Sequence, residues 1–441
     1  MANGGETDSA AAMARRWWTR GRRHYVLFVL CLVGIVNFID RQILAILLQP
    51  IQADLKVSDS LMGLLSGIAF SAFYVIAGVP VARMVDSGSR RTLLSACLVV
   101  WSVSTMLCGL ATSFIHLALA RIGVAAGEAG GGPASQSLLS DLYPVRERGT
   151  VIGIWSGTQA VGIALGLFLG GWLNTLFDWR TAFIVVGAPG LVLALVMLLT
   201  VREPPRGLSD EGARPEGVPI SLRQALAVVL GTPALRFALY IAMSCSFTGY
   251  SILGWGPTFY LRVHGLTTMQ VGMFMGVCIA GGLFFGNVAA GHLADRFAKG
   301  DLPTYLKVAG WGTILSAPPG LLFLLSDNLA LSLIGLALAN FFMTFWLPPT
   351  YAVAMGLVDS RNRGLTAAMM TLAGTLVGAG LGPLFVGIMS DVFAPAFGKE
   401  ALRYALLIVL IGLVACGILC FMAMKPVRRA VAARAARAAT A

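Results

Sequence analysis

The chain has 441 residues, of which 57% are hydrophobic and only 12% carry a charge. Apolar runs long enough to cross a bilayer recur along its whole length, which excludes a soluble globular protein. The formal charge of +12 does not indicate nucleic-acid binding. The basic residues cluster beside the ends of apolar runs, as they do on the cytoplasmic side of membrane proteins.

In chain order, the sequence predicts a basic, partly disordered arm over residues 1–24 and a six-helix half over 25–201. A polar linker over 202–233, a second six-helix half over 234–424 and a basic tail over 425–441 follow. A short interfacial helix is predicted to begin in the linker at Ser221. The predicted spans cover residues 25–48, 61–82, 92–111, 115–140, 150–174, 181–201, 234–260, 270–294, 304–325, 329–357, 364–390 and 402–424.

Arginine-rich loops alternate with loops that carry little positive charge. This alternation, together with an even number of spans, predicts that both termini are cytoplasmic. We therefore expect a multi-pass protein of the plasma (inner) membrane.

The first span contains the sequence NFIDRQ, in which Asp40 and Arg41 fall in the middle of an apolar run. An ionisable residue at mid-membrane costs roughly 2.5–3.5 kcal/mol on insertion scales, so it is expected to face a cavity and to have a partner. Neighbouring side chains diverge by about 100° around a helix. Asp40 and Arg41 are therefore each predicted to reach a group on another span.

The loop after the second span reads VARMVDSGSRR, and the loop after the eighth reads GHLADRFAKG. Asp86 and Asp295 occupy matching places, each followed by basic residues. This internal repeat predicts a six-span unit that occurs twice in parallel orientation.

The fourth span supplies a second pair of buried charges. Arg121 and Glu128 are seven residues apart and so lie on one helix face, about 10 Å apart along the axis. Glycines surround Glu128 in AAGEAGGGPASQS, and Pro133 lacks the N–H that a regular helix needs. A locally weakened helix is predicted here. The fifth span carries Gly162, Gly166 and Gly170 at a spacing of four, which predicts close helix packing.

The second half lacks a comparable ion pair in mid-membrane. Its candidate cavity residues are polar or aromatic: Tyr250, Trp255, Asn340 and Trp346. The sequences Gly254–Pro257 and Leu347–Pro349 predict interruptions of their helices, and interrupted helices often mark transport sites. Simple packing is the alternative explanation for these aromatic residues.

The paired loops resemble the G-x-L-A-D-R-x-G-R-R pattern of the major facilitator superfamily. Gly291, Asp295 and Arg296 match it, whereas Ala82 and Ser87 depart from it in the first copy. Further stretches resemble the spinster-type branch: NFIDRQ, RIGVAAGEAG, DWRTAF, REPPRG, WGPTFYLRVHGL and GPLFVGIMSD. The resemblance implies an all-α integral membrane protein with twelve spans, arranged as two six-helix halves around a central cavity.

In that fold the first and fourth spans both line the cavity, so we expect Arg41 to pair with Glu128, with Asp40 close by. One carboxylate can then stay ionised while the other, removed from water and repelled by its neighbour, takes up a proton. Asp40 and Glu128 are the predicted proton-coupling residues. Arg41, Asn37, Tyr250, Trp255, Asn340 and Trp346 are the predicted substrate-binding residues. A buried salt bridge that only fixes helix packing is the alternative.

Gating residues are predicted from the superfamily pattern, in which the aspartate after the second span accepts bonds from a neighbouring helix N-terminus. The predicted set is Asp86, Arg90, Arg91, Arg121, Arg148, Asp295 and Arg296. For the loop arginines, the simpler explanation is topology alone. Arg121 has a second alternative, a structural one: at the start of the fourth span it can snorkel or bond a loop carbonyl.

The spinster-type branch includes exporters of sphingosine-1-phosphate and lysophospholipids. We therefore expect a secondary transporter that works by alternating access, with the proton as coupling ion and an amphiphilic lipid-like substrate. An exporter or facilitator of small polar metabolites, organic anions or drugs is the alternative. No nucleophile–base arrangement, phosphate-binding loop or metal-ligand spacing indicates an enzyme, a bound cofactor or a metal. The expected partners are membrane lipids and the substrate, with no nucleic acid, and the expected state is a monomer.

Overall fold

The computed structural model describes residues 18–209, 229–358 and 363–440. Over these ranges the regular elements are all helical, which confirms the predicted fold class. The first part of the basic arm and the helix predicted at Ser221 lie outside the described residues. The α-helices are α1 Arg20–Leu55, α2 Asp59–Ser87 (with a π-helical turn at Leu65–Ala69), α3 Arg90–Gly109, α4 Phe114–Glu128, α5 Gly131–Leu142, α6 Val145–Leu176, α7 Trp179–Thr200, α8 Pro233–Arg262, α9 Thr268–Ala298, α10 Leu302–Leu315, α11 Ala317–Leu325, α12 Leu329–Met343, α13 Leu347–Leu357, α14 Arg363–Gly374, α15 Gly382–Phe397 and α16 Ala401–Thr440.

Each predicted span coincides with one helix or with consecutive helical pieces. Within the described part of the chain, ten helical stretches are long and apolar enough to cross a membrane. The fourth predicted span falls outside this set because it is divided into α4 and α5, of 15 and 12 residues. The last two predicted spans form one continuous stretch in that set. Twelve spans and cytoplasmic termini stay predictions.

Local chemistry explains where several helices begin and break. Ser89 starts α3 by accepting a hydrogen bond from the amide of Thr92. The predicted weak point near Glu128 is a break at Ala129–Gly130. It arises because Pro133 has no N–H to donate to the carbonyl of Ala129, four residues earlier.

The two interruptions predicted in the second half have different outcomes. A 3₁₀ turn at Thr344–Trp346 separates α12 from α13, as predicted. The interruption predicted at Gly254–Pro257 is wrong, because α8 continues through Pro257 to Arg262. One missing hydrogen bond is not enough to end a helix that is buried on both sides of the proline.

The helices form two compact units. Among the described residues, the first unit comprises 18–41, 73–163 and 180–209, and the second comprises 42–72, 164–179, 229–358 and 363–440. The boundary passes through α1, α2 and α6. The second unit therefore contains the end of α1, the start of α2 and the end of α6, together with every helix of the second half.

Glycines of α6 pack against α1 in both units, as their spacing predicts. A Cβ atom at Gly162 would lie 2.5 Å from Cβ of Phe38 in the first unit. In the second unit, a Cβ atom at Gly170 would lie 2.6 Å from a methyl group of Ile46. Neither glycine could carry a side chain without separating the two helices.

Candidate functional site

Four ionisable residues meet inside the first unit, and we call them the central cluster: Asp40 and Arg41 on α1, and Arg121 and Glu128 on α4. Nε of Arg41 donates to Oε2 of Glu128 at 2.6 Å. The predicted Arg41–Glu128 pair is therefore confirmed. The Glu128 side chain is fully buried, whereas 20% of the Arg41 side chain is exposed. Arg41 is thus the member of the pair that a solute could reach.

Aromatic rings surround the Arg41 guanidinium. Its central carbon lies 4.9 Å from the centroid of Tyr74 and 5.6 Å from that of Phe38. Both distances allow cation–π attraction, which positions the planar group. Asn37 lies beside Glu128. The sequence did not point to Tyr74 or Phe38, because a ring in a membrane span gives no signal of the cation it faces.

Asp40 differs sharply from Glu128. It is completely buried, and neither of its carboxylate oxygens has a donor in hydrogen-bonding geometry among the described residues, although the Thr105 hydroxyl is close. Its charged neighbours are Glu128 and Arg121. A buried carboxylate without donors is strongly unfavourable, whereas the neutral acid is tolerated. The site can therefore hold a proton on Asp40 while Glu128 stays ionised against Arg41.

Arg121, grouped above with the gating residues, lies in the central cluster, and its gating role stays a prediction. Only 3% of it is exposed, and its Nη1 donates to the backbone carbonyl of Asp40 at 3.3 Å. It lies two turns into α4, so the helix carries it into the interior. The predicted bond to a loop carbonyl is wrong in its partner, because the carbonyl of Asp40 lies within α1.

A second ionic group joins α3 to the start of the linker, and we call it the Arg90 cluster. Arg90 is buried and pairs with Asp141 and with Glu203, the latter at 2.7 Å from Nε. Nη2 of Arg90 donates to the carbonyl of Pro204 at 2.7 Å, and the amide of Gly207 donates to Asp141 at 2.9 Å. The cluster fixes the REPPRG stretch to α3 and α5 within the first unit. Sequence analysis missed Asp141 and Glu203.

Glu203, one of the two acids of this cluster, is held in its ionised form. Burial alone would raise the pKa of Glu203. Hydrogen bonds from the Arg91 amide, at 2.8 Å, and from the guanidinium of Arg90 outweigh burial and lower the pKa below its ordinary value. The negative charge at Glu203 is therefore part of the folded structure at neutral pH.

The other predicted gating residues have different surroundings. Arg91 bonds the carbonyl of Val201 at 3.3 Å, and Arg148 bonds the carbonyl of Tyr143 at 2.9 Å. Asp295 accepts a bond from Tyr305 at 2.6 Å, while Arg296 is exposed at the end of α9. Asp86 is exposed as well, and no described helix N-terminus donates to it. A gating role for these five residues stays a prediction.

A third ionic group lies in the second unit, and sequence analysis missed it. Arg262, the last residue of α8, donates to both carboxylate oxygens of Asp59, at 2.6 and 2.7 Å. The same guanidinium bonds the side chains of Gln49 and Gln52 on α1. Ser390 on α15 also donates to Asp59, at 2.6 Å. We call this set the Asp59 cluster.

Asp391 extends the Asp59 cluster to the start of α2. Its carboxylate accepts bonds from the amides of Asp59 and Ser60, at 3.1 and 2.8 Å, and from the Ser60 hydroxyl. These are the unpaired donors of a helix N-terminus, so the charge also complements the helix dipole. Gly387 has no side chain to separate α15 from Asp59. The cluster therefore joins the end of α1, the start of α2 and the end of α8 to the middle of α15.

The predicted substrate-binding residues of the second half are partly used in packing. Trp255 is fully buried, and its Nε1 donates to the carbonyl of Pro383 at 2.8 Å. Asn340 is 4% exposed and donates to the carbonyl of Leu336 at 2.9 Å. Trp346 lies 6.5 Å from the ring of Tyr351, and Trp346 and Tyr250 are half-buried. In this structure Trp255 and Asn340 are buried in helix packing. Of the four residues, only Trp346 and Tyr250 keep substantial accessible surface.

Known proteins resemble the chain over nearly its whole length. The family model of the Major Facilitator Superfamily matches residues 30–306. An MFS-type efflux pump of Mycolicibacterium smegmatis is 31% identical over 403 residues, which covers 89% of this chain and 90% of the pump. The hexuronate transporter of Bacillus subtilis is 26% identical over 400 residues, covering 84% and 90%. The crystal structure of a bacterial homolog of the human lysosomal transporter spinster, inward-facing and unoccupied, superposes with a TM-score of 0.83 at 29% identity. That superposition covers 93% of this chain and 99% of the homolog.

Proposed function

The chain belongs to the major facilitator superfamily and resembles its spinster-type branch, and from this premise we propose that it is a proton-coupled secondary transporter of an amphiphilic anion. As a superfamily member it is a multi-pass transporter of the plasma membrane and not an enzyme. The proton coupling and the class of substrate are the parts that we propose.

The observation that carries the proposal is the unequal environment of the two acids of the central cluster. Glu128 has a cation at 2.6 Å, whereas the carboxylate of Asp40 has no donor in hydrogen-bonding geometry among the described residues. Asp40 holds the proton in this state. A second proton on Glu128 would release Arg41, which then offers its guanidinium to the anionic group of a substrate.

The Asp59 cluster supports alternating access. On the predicted topology, the end of α1, the start of α2, the end of α8 and the end of the eleventh predicted span all lie on the non-cytoplasmic side. A transporter needs such a connection to close one side of the membrane while the other is open. The related spinster homolog was solved in an inward-facing conformation, which agrees with closure on that side.

Two substrate classes fit the surroundings of Arg41. A guanidinium flanked by Tyr74 and Phe38 offers an anion site beside an apolar surface, which suits a lysophospholipid or a sphingosine-1-phosphate type of lipid. The second candidate is a small organic anion such as a hexuronate, the substrate class named for one relative. The burial of Trp255 and Asn340 favours this second candidate, because it reduces the surface available to an acyl chain.

Flux into proteoliposomes tests the proposal. Labelled lysophospholipid, sphingosine-1-phosphate and glucuronate would be compared with and without an imposed pH gradient. We expect one of them to follow the gradient, and we expect Glu128→Gln and Asp40→Asn to abolish that response. Asp327→Asn, which removes an exposed carboxylate, is the matched control and should transport normally. Flux that ignores the gradient in the wild type would refute proton coupling. Gradient-driven flux of glucuronate alone would refute the lipid substrate.

A further inference from the structure

A cavity of about 500 Å³ lies within the second unit, and no residue of the central cluster lines it. Its lining comes from three segments: residues 231–234 at the start of α8, Leu357 at the end of α13, and one face of α16. On the predicted topology all three segments lie on the cytoplasmic side, where the basic loops are. Among the residues that the structure describes, none of those lining the cavity is acidic.

The cavity is flanked by positive charge. Arg429 and Arg434 of α16 both line it. Nη1 of Arg434 donates to the carbonyl of Gly356 at 2.7 Å, which holds the guanidinium at the rim. The whole of α16, from Ala401 to Thr440, contains no acidic residue. The described residues around the cavity therefore carry positive charge, and an anion is the complementary occupant.

The rest of the lining is apolar and small. Pro426, Arg429, Ala430 and Ala433 follow the i, i+3, i+4, i+7 pattern of one helix face. Two alanines at the centre of that face leave the space that larger side chains would fill. Leu357 and Pro233 complete an apolar wall. A free inorganic anion makes no apolar contact with such a wall. A molecule with a charged head group and an apolar body can contact both the arginines and the wall.

We propose that this cavity binds an anionic phospholipid of the inner leaflet, with its phosphate at Arg429 and Arg434 and its glycerol and first methylenes against Ala430 and Ala433. Basic pockets between helices at the cytoplasmic face have the chemistry to bind anionic lipid head groups. The site is separate from the proposed transport site. It would anchor α16 to the junction before α8 and to the end of α13.

Binding would be measured on the purified full-length protein with dioleoylphosphatidylglycerol, dioleoylphosphatidylcholine or inorganic phosphate. Native mass spectrometry counts bound lipid, and the shift in thermal unfolding temperature reports its effect. We expect phosphatidylglycerol to bind and to raise the unfolding temperature more than phosphatidylcholine does. The double variant Arg429→Gln/Arg434→Gln should weaken binding roughly fivefold for each arginine removed.

Two further variants keep the test decisive. Lys425→Gln/Arg428→Gln removes the same charge from α16 without touching the lining, so it should bind phosphatidylglycerol like the wild type. Ala433→Leu keeps every charge but fills the cavity, so it should lose binding. Equal loss in the Lys425/Arg428 control would overturn the site, since it would indicate attraction to charge alone. Full binding by Ala433→Leu would also overturn it. Equal stabilisation by inorganic phosphate would overturn the lipid assignment.

Discussion

Replacing Asp59 by Asn would test whether the Asp59 cluster closes one side of the transporter. The substitution removes the carboxylate that accepts two bonds from Arg262, while it keeps the size of the side chain. The Asp59 side chain is 6% exposed and that of Arg262 is 17% exposed. Breaking a fully buried pair costs about 3–5 kcal/mol, and an exposed pair contributes about 0–1 kcal/mol. For this nearly buried pair we expect about 2 kcal/mol, since Asn keeps one acceptor.

A loss of about 2 kcal/mol corresponds to a roughly 30-fold change in the equilibrium between the bonded and the separated cluster. Hydrogen–deuterium exchange can measure that change directly, because the amides of Asp59 and Ser60 donate to Asp391 only while the cluster is formed. Exchange in a peptide spanning residues 56–64 should accelerate by the same factor. Exchange within α3, in the first unit, should not change.

The matched control is Asp327→Asn, again in the second unit. Asp327 pairs with Arg403 at 2.9 Å, but its side chain is 89% exposed. Its loss should leave exchange at residues 56–64 unchanged. If Asp59→Asn also left that exchange unchanged, or if both variants accelerated it equally, the cluster would not be holding the ends of these helices together.

Three other outcomes follow from the packing and the charges. Gly272→Ala places a methyl group against the carbonyl of Leu167, and it should cost about 1–3 kcal/mol of stability. The control is Gly281→Ala on the same helix. It has open space around it and should not lower the unfolding temperature. Because the pKa of Glu203 is lowered in the folded state, its ionised carboxylate stabilises the fold at pH values above 4.5, its ordinary pKa. This stability is lost as the pH falls through the lower pKa of the folded state. In thermal unfolding, Glu203→Gln should lack that part of the acid sensitivity. Trp255→Phe removes a buried hydrogen bond and should lower the unfolding temperature, at a cost of about 1 kcal/mol, without changing the KM for transport.

Much of the fold could be predicted because bilayer thickness fixes the length of an apolar run. Asp40, Arg41 and Glu128 could be singled out for a related reason, since a charge within such a run needs a partner. The Asp59–Arg262 pair gave no such signal. Both residues lie at the ends of spans, where charge is ordinary, and 203 residues separate them along the chain.

The orientation of the aromatic residues could not be predicted either. In a soluble protein, the polar face of a helix identifies the buried face. In a membrane both the lipid and the protein interior are apolar, so the sequence around Trp255 does not show which face packs. The bond from Trp255 to Pro383 depends on how α8 meets α15, which is a property of the tertiary structure.

The balance of charge in the central cluster leads to one more prediction. Two arginines, an ionised Glu128 and a protonated Asp40 give the cluster one positive charge. The second proton, on Glu128, raises this to two, and additional net charge buried in the membrane is costly. A monovalent anion that binds together with that second proton restores the charge that the cluster had before. Transport of a monoanion should therefore move one proton with it and no net charge. In proteoliposomes, the initial rate should respond to a pH gradient but not to a potassium diffusion potential set with valinomycin. A rate that follows the membrane potential would show that charge crosses uncompensated, and Glu128 would then not take up one proton for each monoanion.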